Sequence, residues 1–230
     1  MASSPYASTE ETTNLNRVCR LLLGPCTDQL RFALRRYVHP ASLTVTIRPI
    51  KHKILPFLSK KQERLVLPEG TTRYRGNYDD MDISLLYTML RSMWLVHGIP
   101  WMYNHDKVKH ESAHIESIHF VRNKCGGHAT KDYLSHTEFK TYWSTLRSAV
   151  ENLDNIYKTN YLEGVKFLLT EEMDPVQGQR YREEIRKQYE EEQKTKEMIG
   201  KLTKEMEKTG KEVQETKGKV LNYNFIYCNS

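Results

Sequence analysis

The segment from Ile83 to His97, Ile-Ser-Leu-Leu-Tyr-Thr-Met-Leu-Arg-Ser-Met-Trp-Leu-Val-His, decides the fold of this 230-residue chain. It follows two N-cap candidates, Asp80 and Asp82, and it ends before Gly98 with Pro100 just beyond. Apolar residues occupy almost every side of the helix that this run would form, which predicts the central helix of a globular core. No apolar run in the chain reaches about 18 residues, so we expect no membrane-spanning helix.

Amphipathic patterns predict further helices on both sides of this one. Their apolar residues recur at three- and four-residue spacing, and several follow a cap signal such as the capping box of Ser135 and Glu138. The predicted ranges are 12–24, 28–39, 59–67, 112–122, 135–157 and 161–173. Residues 40–78 are otherwise a long connection, and only the short run from Leu43 to Ile47 alternates as a strand would. The sequence therefore predicts an all-α fold, a bundle of four or five helices.

The C-terminal part differs in composition, because Glu, Lys, Gln and Thr dominate residues 180–219. A seven-residue register nevertheless persists there, through Ile185, Gln188, Glu192, Thr195, Ile199, Leu202, Met206, Thr209, Val213, Thr216 and Val220. Polar residues at half of these positions are compatible with a weak coiled coil or with a solvated charged helix that acts as a spacer. We expect a disordered leader over 1–12, the bundle over 13–175, the charged helix over 176–219 and an irregular tail over 220–230.

Basic residues concentrate in the first third of the chain. Residues 1–78 hold 13 Lys+Arg and 5 Asp+Glu, whereas residues 79–175 hold 10 and 14. This bias is compatible with a solvated basic face or with a footprint for a polyanion. The candidate RNA-binding residues are Arg35, Arg36, Lys51, Lys53, Lys60 and Lys61, although no RNP-like aromatic pattern accompanies them and nothing favours DNA. The four scattered cysteines and a start without signal-peptide features predict a reducing, cytoplasmic setting.

Two short motifs carry possible chemistry. His110-Glu111-Ser-Ala-His114 spells the zinc-protease signature, in which two histidines bind the metal and the glutamate acts as general base. It follows a loop and lacks a third ligand at the usual spacing, so a zinc protease is a minor alternative and we expect no metal or cofactor. Arg122-Asn123-Lys-Cys-Gly-Gly-His128 places a guanidinium, which binds phosphate, near an imidazole, which transfers protons near neutral pH. A structural role for this Arg and His is equally compatible with the motif.

Three blocks together resemble a known family: Gly76-Asn-Tyr-Asp-Asp-Met-Asp-Ile-Ser-Leu-Leu-Tyr87, Arg122-Asn-x-x-Gly-Gly-His-Ala129 and Leu134-Ser-x-x-Glu-Phe139. They are similar to the HEPN domain of the type found in the DAZ-interacting zinc-finger ubiquitin ligase, over about residues 14–157. The resemblance implies a helical bundle that dimerises to form a composite, metal-independent endoribonuclease site. It implies that Arg122 stabilises the phosphate, that Asn123 assists it, and that His128 transfers protons while the RNA 2′-hydroxyl attacks.

The same resemblance leaves activity open, because other HEPN domains serve as binding or assembly modules. Two functions from different classes are therefore expected. The first is an RNA-binding HEPN module that forms a homodimer and has a candidate ribonuclease site. The second is a non-catalytic dimerisation or assembly module of a signalling protein, in which Arg122 and His128 are structural.

Overall fold

The computed structural model describes residues 9–70, 73–97, 111–127, 133–172 and 174–227. Every regular element within these residues is helical, which confirms the all-α prediction. The α-helices are α1 (Glu10–Leu21), α2 (Thr27–Tyr37), α3 (Leu43–Ile47), α4 (Lys51–Ile54), α5 (Lys60–Val66), α6 (Ile83–Val96), α7 (Glu111–Gly127), α8 (His136–Tyr157), α9 (Tyr161–Thr170) and α10 (Pro175–Tyr227).

Helix α6 is buried in the core, as its sequence predicted. The Asp82 carboxylate caps it by accepting from the Leu85 backbone N–H at 2.7 Å. Leu86, Leu90 and Met93 are fully buried in the core. Helix α2 packs against α6, while α7 packs along α8, which also contacts α1 and α9. The core is thus a helical bundle, and the burial of α6 within it was predicted from its apolar residues alone.

The first helix begins at Glu10, two residues before the earlier of its predicted starts. The hydroxyl of Thr9 accepts from the Thr12 backbone N–H at 3.1 Å, and two glutamates in the first turn favour the helix dipole. The predicted interruption at Gly24-Pro25 is confirmed. A π-helical turn over Leu22–Cys26 joins α1 to α2, and Gly24 has non-helical backbone angles there.

The connection over residues 40–78 contains more helix than the sequence indicated. The strand-like run Leu43–Ile47 is helix α3, because Leu43 and Ile47 are buried on one face of it. Three short 3-10 turns, Pro40–Ser42, Arg48–Ile50 and Leu55–Phe57, each carry a proline at their first or second position, where its fixed φ suits a helical start. The predicted short helix is confirmed as α5, with a capping box between Ser59 and Gln62.

The turn between α8 and α9 is held by a buried carboxylate. Asp154 accepts from the backbone N–H of Leu162 at 2.8 Å and from Tyr161 at 3.1 Å. Its Oδ1 also accepts from the Gln29 side-chain amide on α2 at 3.1 Å. This single side chain caps the start of α9 and ties the turn to the bundle.

The chain divides into two compact units, Met1–Glu192 and Gln193–Ser230. The first continues past the expected end of the bundle at 175, since Ile185 and Gln188 on α10 are buried within it. In the second, the described backbone is helical to Tyr227, and Leu202 and Met206 are exposed at 59% and 74%. None of the helices in the described part of the chain has the length and apolar content needed to cross a membrane.

Candidate functional site

Arg122 lies inside α7 and is completely buried, with 0% of its side chain exposed. Its Nη1 donates to the Asn123 side-chain oxygen at 2.7 Å and to the Glu192 carboxylate on α10. Burial lowers the pKa of the guanidinium, while Glu192 and then Asp82 act in the opposite direction. The carboxylate of Glu192 therefore balances a charge that the bundle has removed from water.

Two more donors from neighbouring helices approach the same carboxylate. The Ser84 hydroxyl on α6 donates to Glu192 Oε2 at 2.9 Å, and His119 Nε2 on α7 lies 3.5 Å from Glu192 Oε1. The His119 ring stacks on Tyr87 with centroids 3.8 Å apart and planes 6° apart, which fixes its position. A guanidinium, a hydroxyl and an imidazole thus converge on one anionic group.

Asp82 is a second acidic group near Arg122. Burial raises the pKa of its carboxyl, and the Leu85 backbone bond and the charge of Arg122 lower it in part. Because Asp82 is also the N-cap of α6, the first sequence block and the Arg122 block meet at this point of the fold. Two blocks that are distant in sequence therefore contribute side chains to one charged cluster.

The two glycines after Cys125 permit α10 to approach α7. A Cβ atom at Gly126 would lie 2.4 Å from Cβ of Tyr189, and one at Gly127 would lie 3.3 Å from the Tyr189 hydroxyl. Helix α7 runs through both glycines to Gly127, whereas the sequence had indicated an end near Arg122. The Gly-Gly pair therefore permits close packing of α10 on α7. This packing brings Glu192 to the Arg122 side chain.

Only part of the predicted Arg122, Asn123 and His128 set is brought together in the described residues. Arg122 and Asn123 are hydrogen-bonded neighbours, whereas His128 lies outside the described residues. His119 is a residue that the sequence interpretation missed, although it lies one helical turn from Asn123, whose side-chain amide nitrogen is 3.5 Å from His119 Nδ1. A search for histidines one turn before the arginine would have found it.

The six predicted RNA-binding residues fall into two groups. Arg35 donates to the Asn77 backbone carbonyl at 2.6 Å and lies 3.3 Å from the Asp79 carboxylate, so it fastens a loop. Arg36 lies over the Tyr157 ring at 5.3 Å. The other four are exposed on α4 and α5, at Lys51, Lys53, Lys60 and Lys61.

An exposed aromatic side chain lies between these lysines in the sequence. Phe57 is 58% exposed, whereas its neighbours Ile54 and Leu58 are buried at 3% and 7% exposure. The sequence alone does not reveal this exposure, because residues 54–58 are apolar throughout and only the fold decides which of them are buried. We call Lys51, Lys53, Phe57, Lys60 and Lys61 the lysine surface.

The zinc-protease alternative finds its glutamate otherwise engaged. Glu111 accepts from the Tyr37 hydroxyl at 2.7 Å and from the Tyr157 hydroxyl, so both carboxylate oxygens hold the bundle together. His114 is buried at 7% exposure, and His110 lies outside the described residues. No group of three or more metal-ligating side chains occurs in the part of the chain that the structure describes.

Comparison with known proteins identifies a family. The family model described as DZIP3/hRUL138-like HEPN matches residues 42–181. This range includes the lysine surface, all of α6 to α9 and the Arg122 motif, and it ends before Tyr189 and Glu192. No curated protein and no solved structure matches the chain.

Proposed function

Since this chain belongs to the DZIP3/hRUL138-like HEPN family, we propose that it acts as an RNA-binding module whose lysine surface holds a single-stranded RNA. One observation carries the proposal: four exposed lysines flank an exposed phenylalanine in the sequence. Proteins that bind single strands combine cationic side chains, which follow the phosphates, with aromatic rings on which bases stack. Both parts of that arrangement occur here within eleven consecutive residues, 51–61.

The local charge supports an anionic partner. Between residues 40 and 68 the chain holds six basic side chains and a single acidic one, Glu63. Lys60 and Lys61 lie in the first turn of α5, where the helix dipole disfavours cations. These two lysines therefore do not stabilise α5 electrostatically. A polyanion bound to them would be stabilising at this end of the helix.

The same proposal assigns RNA cleavage to Arg122, Asn123 and His128. The 2′-oxygen would form a bond to phosphorus as its proton passes to His128, while the 5′-oxygen leaves with a proton from water. The products are a 2′,3′-cyclic phosphate and a 5′-hydroxyl, and the step needs no metal. Arg122 would stabilise the charge that develops on the phosphate.

Binding is tested on the full chain by fluorescence anisotropy with a labelled single-stranded RNA. A variant with Lys51, Lys53, Lys60 and Lys61 changed to Gln is compared with one in which four other exposed lysines, Lys140, Lys166, Lys201 and Lys204, are changed to Gln. The first should reduce the slope of log affinity against log salt by about 2–3, at roughly 0.7 per lost phosphate contact. Equal affinities and slopes in the two variants would overturn the proposal.

Phe57→Ala separates stacking from charge. Losing one stacked base should weaken RNA binding by about 1–3 kcal/mol without changing the salt slope. The control is Val45→Ala, since Val45 is equally exposed at 58% but has no ring.

Cleavage is tested in EDTA with wild type and His128→Ala. Products ending in a cyclic phosphate from the wild type alone support the assigned site, and identical products from both remove it.

A second candidate function is self-assembly, favoured by the exposed register residues of the second unit. Leu202 and Met206 follow the seven-residue pattern and face solvent at 59% and 74%. Light scattering of the full chain should show a dimer that Leu202→Glu with Met206→Glu converts to a monomer. The control changes the off-register residues Thr203 and Glu207 to Ala. A monomeric wild type would exclude this candidate.

A further inference from the structure

The Glu192 carboxylate occupies a position built for an anion. It receives a hydrogen bond from Arg122, another from Ser84 at 2.9 Å, and an imidazole contact from His119 at 3.5 Å. These three donor types also bind phosphate oxygens, and a guanidinium does so with two parallel bonds. A carboxylate and a phosphodiester each present two equivalent charged oxygens, so one can replace the other on the same donors.

Arg122 has donor capacity that Glu192 leaves unused. Its Nε and Nη2 are buried and have no acceptor among the described residues. A buried N–H without an acceptor destabilises the folded state. A phosphodiester that binds the guanidinium through two parallel bonds to its charged oxygens would satisfy one more of these N–H groups than Glu192, which is bound through Nη1, does.

We propose that Glu192 is an intramolecular substitute for an RNA phosphate, and that the Arg122 site takes a phosphodiester when α10 releases this carboxylate. The inference rests on the proposed RNA-binding function and adds regulation to it. In the closed state Arg122 is withheld from RNA, and the lysine surface remains open to it. RNA bound at the lysine surface raises the local concentration of phosphates that compete with Glu192.

The register positions of α10 are suited to release, although Tyr189 beside them packs closely on Gly126. Of the register positions that it places in the first unit, Ile185 is apolar, whereas Gln188 and Glu192 are polar. The Gln188 side-chain oxygen is buried without a donor among the described residues. A helix face with polar residues at two of three positions binds more weakly than an apolar one. Glu192 lies outside the matched range, 42–181.

The test compares Glu192→Gln with Glu190→Gln in the full chain. Both remove one negative charge from the same turns of α10, but Glu190 is exposed and Glu192 is the side chain on Arg122. Glu192→Gln should bind single-stranded RNA at least fivefold more tightly than Glu190→Gln, the lower end of typical coupling between sites. Affinities within twofold of each other would overturn the inference.

Direct occupancy is read by labelling Arg122 with phenylglyoxal and measuring the modified peptide by mass spectrometry. Wild type and Glu190→Gln should be protected, and Glu192→Gln should be labelled. Inorganic phosphate and RNA, added separately, should each restore protection if the site recognises the phosphate group. Protection by RNA alone would assign the site to a phosphodiester. Labelling equal in all three proteins, or unaffected by either anion, would contradict the proposal.

These outcomes separate the two proposals. If the lysine surface does not bind RNA, the predicted difference in RNA affinity between the variants will not be observed. Protection of Arg122 by inorganic phosphate still reports on the anion site. Glu192→Asp provides a second variant in case Glu192→Gln folds poorly. It keeps the charge and shortens the side chain, so it should be labelled more than wild type and should be protected by phosphate. The absence of both effects would overturn the closure.

Discussion

Gly126→Ala should displace α10 from α7, because the added methyl group has no space. Its carbon would lie 2.4 Å from Cβ and 2.7 Å from Cγ of Tyr189, closer than non-bonded carbons approach. Tyr189 Cβ is attached directly to the α10 backbone, so a change of rotamer cannot relieve the contact. At Gly127 the nearest atom is the Tyr189 hydroxyl at 3.3 Å, the end of a side chain that can turn away.

The expected magnitude follows from two opposing terms. Overpacking of this kind costs about 1–3 kcal/mol, and replacing a helical glycine by alanine returns about 1 kcal/mol. Both positions receive the second term, since both lie in α7. Gly126→Ala should therefore be less stable than Gly127→Ala by about 2 kcal/mol, or roughly 4–8 °C in Tm for a unit of this size.

The assay is thermal unfolding of the full chain followed by circular dichroism. Gly200→Ala calibrates the helical term, because a Cβ atom there meets nothing within 4 Å. It should raise stability by up to about 1 kcal/mol. If Gly126→Ala melts at or above the temperature of Gly127→Ala, the close approach of α7 and α10 is wrong, and the position of Glu192 over Arg122 is wrong with it.

Three further measurements address other parts of the fold. Asp154→Ala should lower the free energy of unfolding in urea by about 1–3 kcal/mol, because it removes the acceptor at the start of α9 and one of the two acceptors of the buried Gln29 amide. Asp154→Asn keeps one oxygen and should cost less. Ser135→Ala should cost about 1 kcal/mol by removing the α8 capping box, and Ser144→Ala on the exposed face of α8 should cost little. In a Cys228→Ser variant the folded protein should not react with a thiol reagent near pH 8.5. The reason is that burial raises the pKa of Cys19 to about 12 and also raises the pKa of the other buried thiols. Prompt labelling before denaturation would refute the burial of Cys19, Cys26 and Cys125.

Local signals predicted the parts of the fold that local forces build. The segment Ile83–Val96 is apolar around its circumference, and its burial in the core follows from that alone. The Ser135 capping box satisfies backbone groups only three residues away, so it was also readable. The helix α3 was not, because its Val and Thr residues favour strands and only burial of Leu43 and Ile47 selects the helix.

The candidate site was predicted in part for the same physical reason. Arg122 and Asn123 are adjacent in sequence, and their shared motif marked them. The acceptor that decides what Arg122 does is Glu192, which is 70 residues further along and lies in a stretch where charged residues are abundant. Nothing distinguishes that glutamate from Glu190 or Glu191 until α10 is placed against Gly126. The exposure of Phe57 likewise depends on how Ile54 and Leu58 turn into the core.

The burial of Arg122 also constrains how its site can open. Removing one partner of a buried ion pair costs about 3–5 kcal/mol, because the remaining charge stays out of water without compensation. Departure of Glu192 before an anion arrives would therefore be rare, and exchange with a phosphate avoids most of that cost by keeping a negative charge on the guanidinium. Glu192→Gln should for this reason have a lower Tm than Glu190→Gln, and inorganic phosphate should raise the Tm of Glu192→Gln more than that of wild type. A phosphate-induced increase of the same size in both proteins would mean that the anion binds elsewhere and that Arg122 and Glu192 form a structural pair alone.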